Sequence, residues 1–144
     1  MQNKVYLKRT FNCSPETLFK WLVEPELIVQ WFGPKDTTAG AVATDVRLNG
    51  RFSIELTRDG GQAFTVVGQY STLEPPHRLG FSFGYQGIDG PESEISMILT
   101  SQGKTTTLQF TQSFETPPPN MEGRTVAWNA MFALMGAQIE AQAG

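Results

Sequence analysis

The chain has 144 residues, 40% hydrophobic and 11% aromatic, enough for one domain of ordinary size with a real core. Only 17% are charged, against about 25% in a typical soluble domain, which excludes a highly charged disordered chain. Eleven Lys and Arg against 14 Asp and Glu give a net charge of −3, and without a basic run to neutralise phosphates the sequence argues against a nucleic-acid binder.

The uncharged apolar stretches are too short and too interrupted to span a bilayer. The opening MQNKVYLKRT carries charges where a secretory signal needs an apolar run. A single cysteine, Cys13, cannot close an internal disulfide, so a cytoplasmic location is expected. A single histidine, His77, excludes metal sites that need several His ligands. One domain is expected over residues 1–144, because Pro117-Pro118-Pro119 stiffens a connector rather than dividing the chain.

The first predicted strand is Lys4 to Phe11. Val5, Leu7 and Phe11 alternate with Tyr6, Lys8 and Thr10, and Arg9 falls on the apolar side. Ser14 can cap a helix, Pro15 suits its first position and Glu16 suits the positive end of its dipole. That helix runs through Leu18, Phe19, Trp21 and Leu22. A second start at Glu24-Pro25-Glu26 carries Leu27, Ile28, Trp31 and Phe32 to a stop at Gly33-Pro34.

From about residue 40 to residue 114 the signals are almost all strand. Phe52, Ile54 and Leu56 share one face. Asp59-Gly60-Gly61 reads as a hairpin turn. Phe64, Val66, Tyr70 and Thr72 share the next face, with Gly68 marking a bulge or a close approach. Leu79, Phe81, Phe83 and Tyr85 alternate with small residues, and a loop follows over residues 86–92. Ile95, Met97 and Leu99 form one more apolar face, and Leu108, Phe110 and Phe114 another, across a Gln102-Gly103-Lys104 turn. Closely spaced hairpins imply an antiparallel meander. From Asn120 the period changes: Ala127, Trp128, Met131, Phe132, Leu134, Met135 and Ile139 recur at helical spacing over about 20 residues. The expected fold is α+β, a curved antiparallel sheet of about six to seven strands around one long C-terminal helix, with two short helices after strand 1.

In this order the sequence resembles the SRPBCC superfamily, whose helix-grip fold wraps a curved sheet round a long last helix. Within it the chain is similar to the branch of the activator of the heat-shock-90 chaperone ATPase. The resemblance rests on Arg9-Thr10-Phe11 with Ser14-Pro15-Glu16 and Leu18-Phe19, and most of all on Glu24-Pro25-Glu26-Leu27 followed by Trp31-Phe32-Gly33-Pro34. Asp45-Val46-Arg47 with Asn49-Gly50-Arg51-Phe52, and Gly68, Tyr70, Glu74-Pro75-Pro76 and Arg78-Leu79, extend it over nearly the whole chain. It departs near the start of the last helix, where Trp128 follows Ala127 in place of the family's Gly-Trp. The resemblance implies an internal apolar cavity between sheet and long helix.

Its inward-facing residues are expected to be Trp31, Phe32, Phe52, Ile54, Tyr70, Phe81, Phe83, Met97, Leu99, Trp128, Met131, Phe132 and Met135. Large aromatics alternating with glycine leave uneven room, and methionines adapt to irregular shapes. Arg9, Asp45 and Tyr85 are the polar candidates beside such a cavity, although for Arg9 and Asp45 a salt bridge at the sheet rim, with Arg47 beside Asp45, is the favoured reading. No catalytic residue is assigned. His77 sits in a turn with no neighbouring acid to orient it, and Cys13 reads as a small buried residue. No spacing suggests a metal site, and no cofactor is expected.

From Thr125 to Ile139 fifteen consecutive residues carry no charge. Where a solvated helix face normally shows Lys, Glu or Arg, this one shows Ala130, Ala133, Gly136 and Ala137. A second subunit covering that face, in a two-fold homodimer, is the expectation. The leading functional reading is binding of an apolar small molecule in the internal cavity, without defined catalysis. The alternative is a chaperone-associated interaction module, which the resemblance implies. A cyclase-like cavity enzyme is third.

Overall fold

The chain folds, in a computed structural model that describes residues 3–143, as β1 (Lys4–Phe11), α1 (Pro15–Val23), α2 (Pro25–Ile28), β2 (Thr37–Thr44), β3 (Arg51–Arg58), β4 (Ala63–Glu74), β5 (Arg78–Tyr85), β6 (Ser93–Gln102), β7 (Thr105–Phe114) and α3 (Met121–Gln142). The strands form one antiparallel sheet in the order β1-β7-β6-β5-β4-β3-β2. Every neighbour is a hairpin partner except β1, which pairs with β7 at the far end of the chain. The two short helices carry the backbone from one sheet edge to the other. The sheet curls into a half-barrel, and α3 lies against its concave face.

Side-chain alternation decides that concave face. Phe52, Ile54 and Leu56 of β3, Leu79, Phe81 and Phe83 of β5, and Ile95, Met97 and Leu99 of β6 are all buried. On α3 the buried residues are Trp128, Met131, Phe132, Met135 and Ile139, the i, i+3, i+4 stripe of a helix with one packed side. The Ser14 hydroxyl caps α1 by accepting from Thr17 N at 3.2 Å. Asn120 caps α3 by accepting from Gly123 N at 3.1 Å.

Two local expectations are corrected. The second helix does not extend to Phe32. It ends at Ile28, and its remaining turn closes with i−3 bonds such as Gln30 N to Leu27 O and Trp31 N to Ile28 O, the tighter pattern that finishes many helices. In β4 the shared face breaks after Tyr70. The pairing with β5 shifts between Tyr70 and Thr72, so Leu73 rather than Thr72 stands opposite buried Leu79. A bulge of one residue reverses every later side chain. Gly68 is not that bulge. It is a close approach, where an added Cβ would overlap the Ser82 carbonyl oxygen and the Phe52 ring.

Gly68→Ala is therefore expected to destabilise the protein by about 2 kcal/mol, the scale of overpacking a tight core. Urea unfolding monitored by tryptophan fluorescence measures this. A change near zero would mean that the sheet relaxes there without cost.

Candidate functional site

Between α3, the α2 end and the concave sheet lie two small apolar voids. The first, of about 30 Å³, is lined by Trp31, Phe32, Phe52, Ile54, Tyr70, Phe81, Phe83, Met97 and Trp128, with Leu22 and Ile28. The second, of about 60 Å³, is lined among others by Phe32, Leu56, Phe64, Phe83, Tyr85, Gln112, Arg124, Trp128 and Met131. Ligand pockets usually measure about 300–1,000 Å³, so in this conformation side chains fill most of the space. Phe32, Phe83 and Trp128 line both voids and are the wall between them. The three rings touch in pairs: Phe32 to Trp128 at 5.9 Å between centroids, Phe83 to Trp128 at 5.9 Å, Phe32 to Phe83 at 6.4 Å.

The three rings are held with unequal firmness. Phe83 belongs to β5, paired on both sides. Trp128 is seated on α3, its ring 4.6 Å from Phe110 and its indole N–H donating to Gln112 Oε1 at 3.0 Å. Gln112 is fully buried and donates in turn to Ser93 Oγ at 2.8 Å. Phe32 has no ladder. It sits on the connection between α2 and β2, just before Gly33, whose φ of +148° is one that residues with a Cβ rarely adopt. The Gly33 N–H reaches the Met131 sulfur at 3.2 Å.

Polar groups are few here. Around the first void the Trp31 indole donates to the Trp21 carbonyl at 2.9 Å and the Trp128 indole to Gln112. Tyr70 is the remaining lining residue of that void with a polar side-chain group. Burial pushes its pKa up to about 12, with the Asp45 charge adding to the effect, so it is a neutral donor at physiological pH. Burial raises Tyr85 as well. Glu92 adds to that rise, while Arg124 and Arg58 act against it. Burial also raises the Cys13 thiol, the opposite of what a nucleophilic cysteine needs.

Not every expected residue reaches the voids. Met131 lines the second void only. Phe132 and Met135 are wholly buried in the solid part of the core, where Phe132 packs on Phe11, Trp31, Phe110 and Trp128. Leu99 is buried but borders neither void. Arg9 lies on the inward side of β1, yet its guanidinium donates to the Asn129 carbonyl of α3 at 3.3 Å. Asp45 is on the surface, in a 2.8 Å pair with Arg47 whose side chains are largely exposed. Exposed His77 holds the Leu99 carbonyl at 3.1 Å through Nδ1. A larger concavity, about 800 Å³, is an open trough along the outer side of β2 to β5, edged by Asp45, Ser53, Gln69 and Ser82. It is too exposed to exclude water from an apolar ligand. Among the described residues no group of three or more His, Cys, Asp or Glu is placed to hold a metal ion.

The geometry is that of a helix gripped by a curled sheet, with an aromatic seam between them. A family profile described as Activator of Hsp90 ATPase homolog 1-like protein matches residues 12–140. The chain belongs to that family. No curated protein matches its sequence. Among solved structures, a Chromobacterium violaceum protein aligns with a TM-score of 0.85 at 19% identity, covering 95% of this chain and 97% of that one. A Nitrosomonas europaea protein gives 0.84 at 18%, covering 96% and 95%. An AHSA1-like protein from Aeromonas hydrophila gives 0.81 at 21%, covering 96% and 92%. At such identities the likeness establishes the fold alone. The family match agrees with the SRPBCC resemblance, and the Trp128 register, open where Ala127 replaces the family's glycine, is settled by its bond to Gln112.

Three polar residues escaped the sequence reading, Gln112, Glu92 and Arg124, and the expected lining also lacked Leu22, Ile28, Leu56 and Phe64. Gln112 was within reach, since it shares parity in β7 with Leu108, Phe110 and Phe114 and is the polar member of an apolar row. Glu92 and Arg124 are 32 residues apart, and only the fold joins them.

Gln112→Leu keeps the volume but leaves the buried Trp128 N–H without its acceptor. A loss of about 2 kcal/mol is expected, read from urea unfolding. An unchanged midpoint would show that Trp128 finds another partner.

Proposed function

We propose that the protein binds a small apolar molecule, about the size of one aromatic ring, in the seam between α3 and the sheet, by displacing Phe32. The observation that carries this is the shared wall. Two apolar voids stand on either side of a ring that no strand ladder holds and that precedes a glycine in a left-handed conformation. Turning that ring out would merge the voids into one site walled by Phe83, Trp128 and two adaptable methionines, Met97 and Met131. The Tyr70 hydroxyl would then supply orientation. The reaction is burial without covalent chemistry. Tyr70 and Tyr85 border different voids, Asp45 is exposed and Arg9 is committed to α3, which argues against a cyclase-like centre. Among the described residues no helix is long and apolar enough to cross a membrane. A free Cys13 supports a reducing, cytoplasmic setting.

A partner reading stands on a different observation. Val126, Ala130, Ala133, Leu134 and Ala137 are all exposed and fall on one stripe of α3, opposite its packed side. This stripe supports a second copy of the chain as partner. A helix face of this length buries less than the about 800 Å² per partner of a standard interface, so association is weak. A chaperone, in keeping with the family's description, is the other occupant to be tested on the same face.

Native mass spectrometry of freshly purified protein is expected to show a retained small molecule. Phe32→Ala is expected to lose about 3–5 kcal/mol of stability, with part of the loss restored by saturating toluene. Toluene that raises the melting temperature of neither form, together with an unadorned mass, would sink the binding reading.

Sedimentation velocity at rising concentration is expected to show a monomer–dimer equilibrium in the tens of micromolar. Ala133→Glu should abolish it while leaving the melting temperature unchanged. A pure monomer at the highest concentration would exclude the dimer, and capture by the purified chaperone that Ala133→Glu abolishes would assign the stripe to it instead.

A further inference from the structure

Arg124, which lines the second void, is held in an ion pair. Glu92 ends the loop between β5 and β6, and Arg124 lies in the first turn of α3. The guanidinium grips the carboxylate with both nitrogens, Nη1 on Oε1 and Nη2 on Oε2, the latter at 2.9 Å. This fork-on-fork geometry is what arginine offers a planar carboxylate. The two side chains are 25% and 26% exposed, so the pair sits at the boundary between seam and solvent. Arg124 is itself a lining residue of the void, and its guanidinium lies 5.6 Å from the Phe114 ring centre.

A second cation packs on the same lining. The Arg58 guanidinium stands 4.6 Å over the ring of Phe64, another lining residue. Among the described residues the ion pairs are Arg47–Asp45, Arg78–Glu74 and Arg124–Glu92, so Arg58 stacks on an aromatic rather than meeting a carboxylate. The charges felt by Tyr85, which also lines this void, are those of Glu92, Arg124 and Arg58. Of the charges that act on Tyr85, two are guanidiniums and one is a carboxylate.

We infer that the molecule bound in the seam is a small apolar carboxylate, whose acid group takes the Arg124 fork now held by Glu92. The inference rests on the apolar-binding reading above and names the ligand class for that site. Glu92 shows that the fork accepts a carboxylate in place. Its backbone is fixed, with N–H donating to the Phe83 carbonyl at 2.8 Å, so only the side chain turns away. The displaced carboxylate moves into water, and Arg124 is never left buried and unpaired. A neutral ligand that displaced Glu92 would leave it so, and an amine would meet two cations. The latch therefore selects against both.

Calorimetric titration of the full chain with 4-phenylbutyrate and with 4-phenylbutanamide tests this in the wild type, Glu92→Gln and Arg124→Gln. Removing the resident competitor in Glu92→Gln is expected to widen the preference for acid over amide about tenfold, the scale of one charge-assisted hydrogen bond. Arg124→Gln is expected to erase the preference. Added salt should weaken the acid and not the amide in the wild type. This comparison decides alone if a variant does not fold: an identical salt response for both probes overturns the inference. Equal binding of acid and amide in all three proteins also overturns it and leaves the apolar site standing. Binding of neither probe to any of them overturns both.

Discussion

The hydrogen bond from the Trp128 indole to the Gln112 carboxamide positions much of the molecule. A long helix on a smooth apolar sheet can slide and roll at little cost, because dispersion contacts are non-directional. A directional bond between two buried groups removes that freedom, since any register that breaks it leaves a polar atom unsatisfied. Ser93 holds Gln112 from the neighbouring strand, so α3 is tied to the β6–β7 pair and not to one side chain. With Trp128 fixed, Met131, Phe132, Met135 and Ile139 must face the sheet, and Val126, Ala130, Ala133 and Ala137 must face away. Arg9 adds a second tie from β1 to the Asn129 carbonyl. The opposite side of the seam has no such side-chain bond at Phe32, whose ring is held by packing alone, and this asymmetry makes the seam a candidate site.

The overall architecture was legible because period decides it. Alternation marked six of the strands, and the shift to helical spacing marked α3. β2 was the weak point: Thr37–Thr44 reads TTAGAVAT, with no large apolar residue to set a face, and only pairing with β3 makes it a strand. The phase error after Tyr70 has the same root, since a one-residue bulge leaves no mark on hydrophobicity. The seam was legible in its walls and illegible in its fittings. Phe52, Ile54, Phe81, Phe83 and Met97 followed from parity alone. Gln112 was passed over because a search for apolar alternation skips the polar member of the row, although a buried amide among aromatics is the more informative residue. Arg9 and Asp45 lie away from the voids for opposite reasons. Arg9 has the inward parity but a long side chain that reaches a helix carbonyl, whereas Asp45 lies beyond the end of β2, where parity no longer assigns a face.

The scarcity of charge takes on a different meaning in the fold. Fifteen uncharged residues lie on α3, and their inward half is simply core. What is unusual is the outward half, which is exposed and still uncharged. The charges that remain are correspondingly easy to interpret. Most sit on strand surfaces or in turns, where an exposed pair such as Arg47–Asp45 contributes little. Arg124 and Glu92 differ in being half-buried, bidentate and placed where the uncharged helix meets the rim of the seam.

Binding in such a seam, as proposed, would be an exchange and not the filling of an empty space. A ligand ring that replaces the Phe32 ring buries about the area that Phe32 exposes, so the apolar terms nearly cancel. Shape alone then gives weak affinity and weak discrimination. Selectivity must come from the few polar groups that change state on exchange. The Trp31 and Trp128 indoles do not change, being bonded to the Trp21 carbonyl and to Gln112. The Arg124 fork would change under that reading, because its present partner is on a side chain that water can reach. Under the proposed reading, a seam whose packing is neutral to exchange and whose rim is charged would read the head group of a bound molecule more sharply than the body.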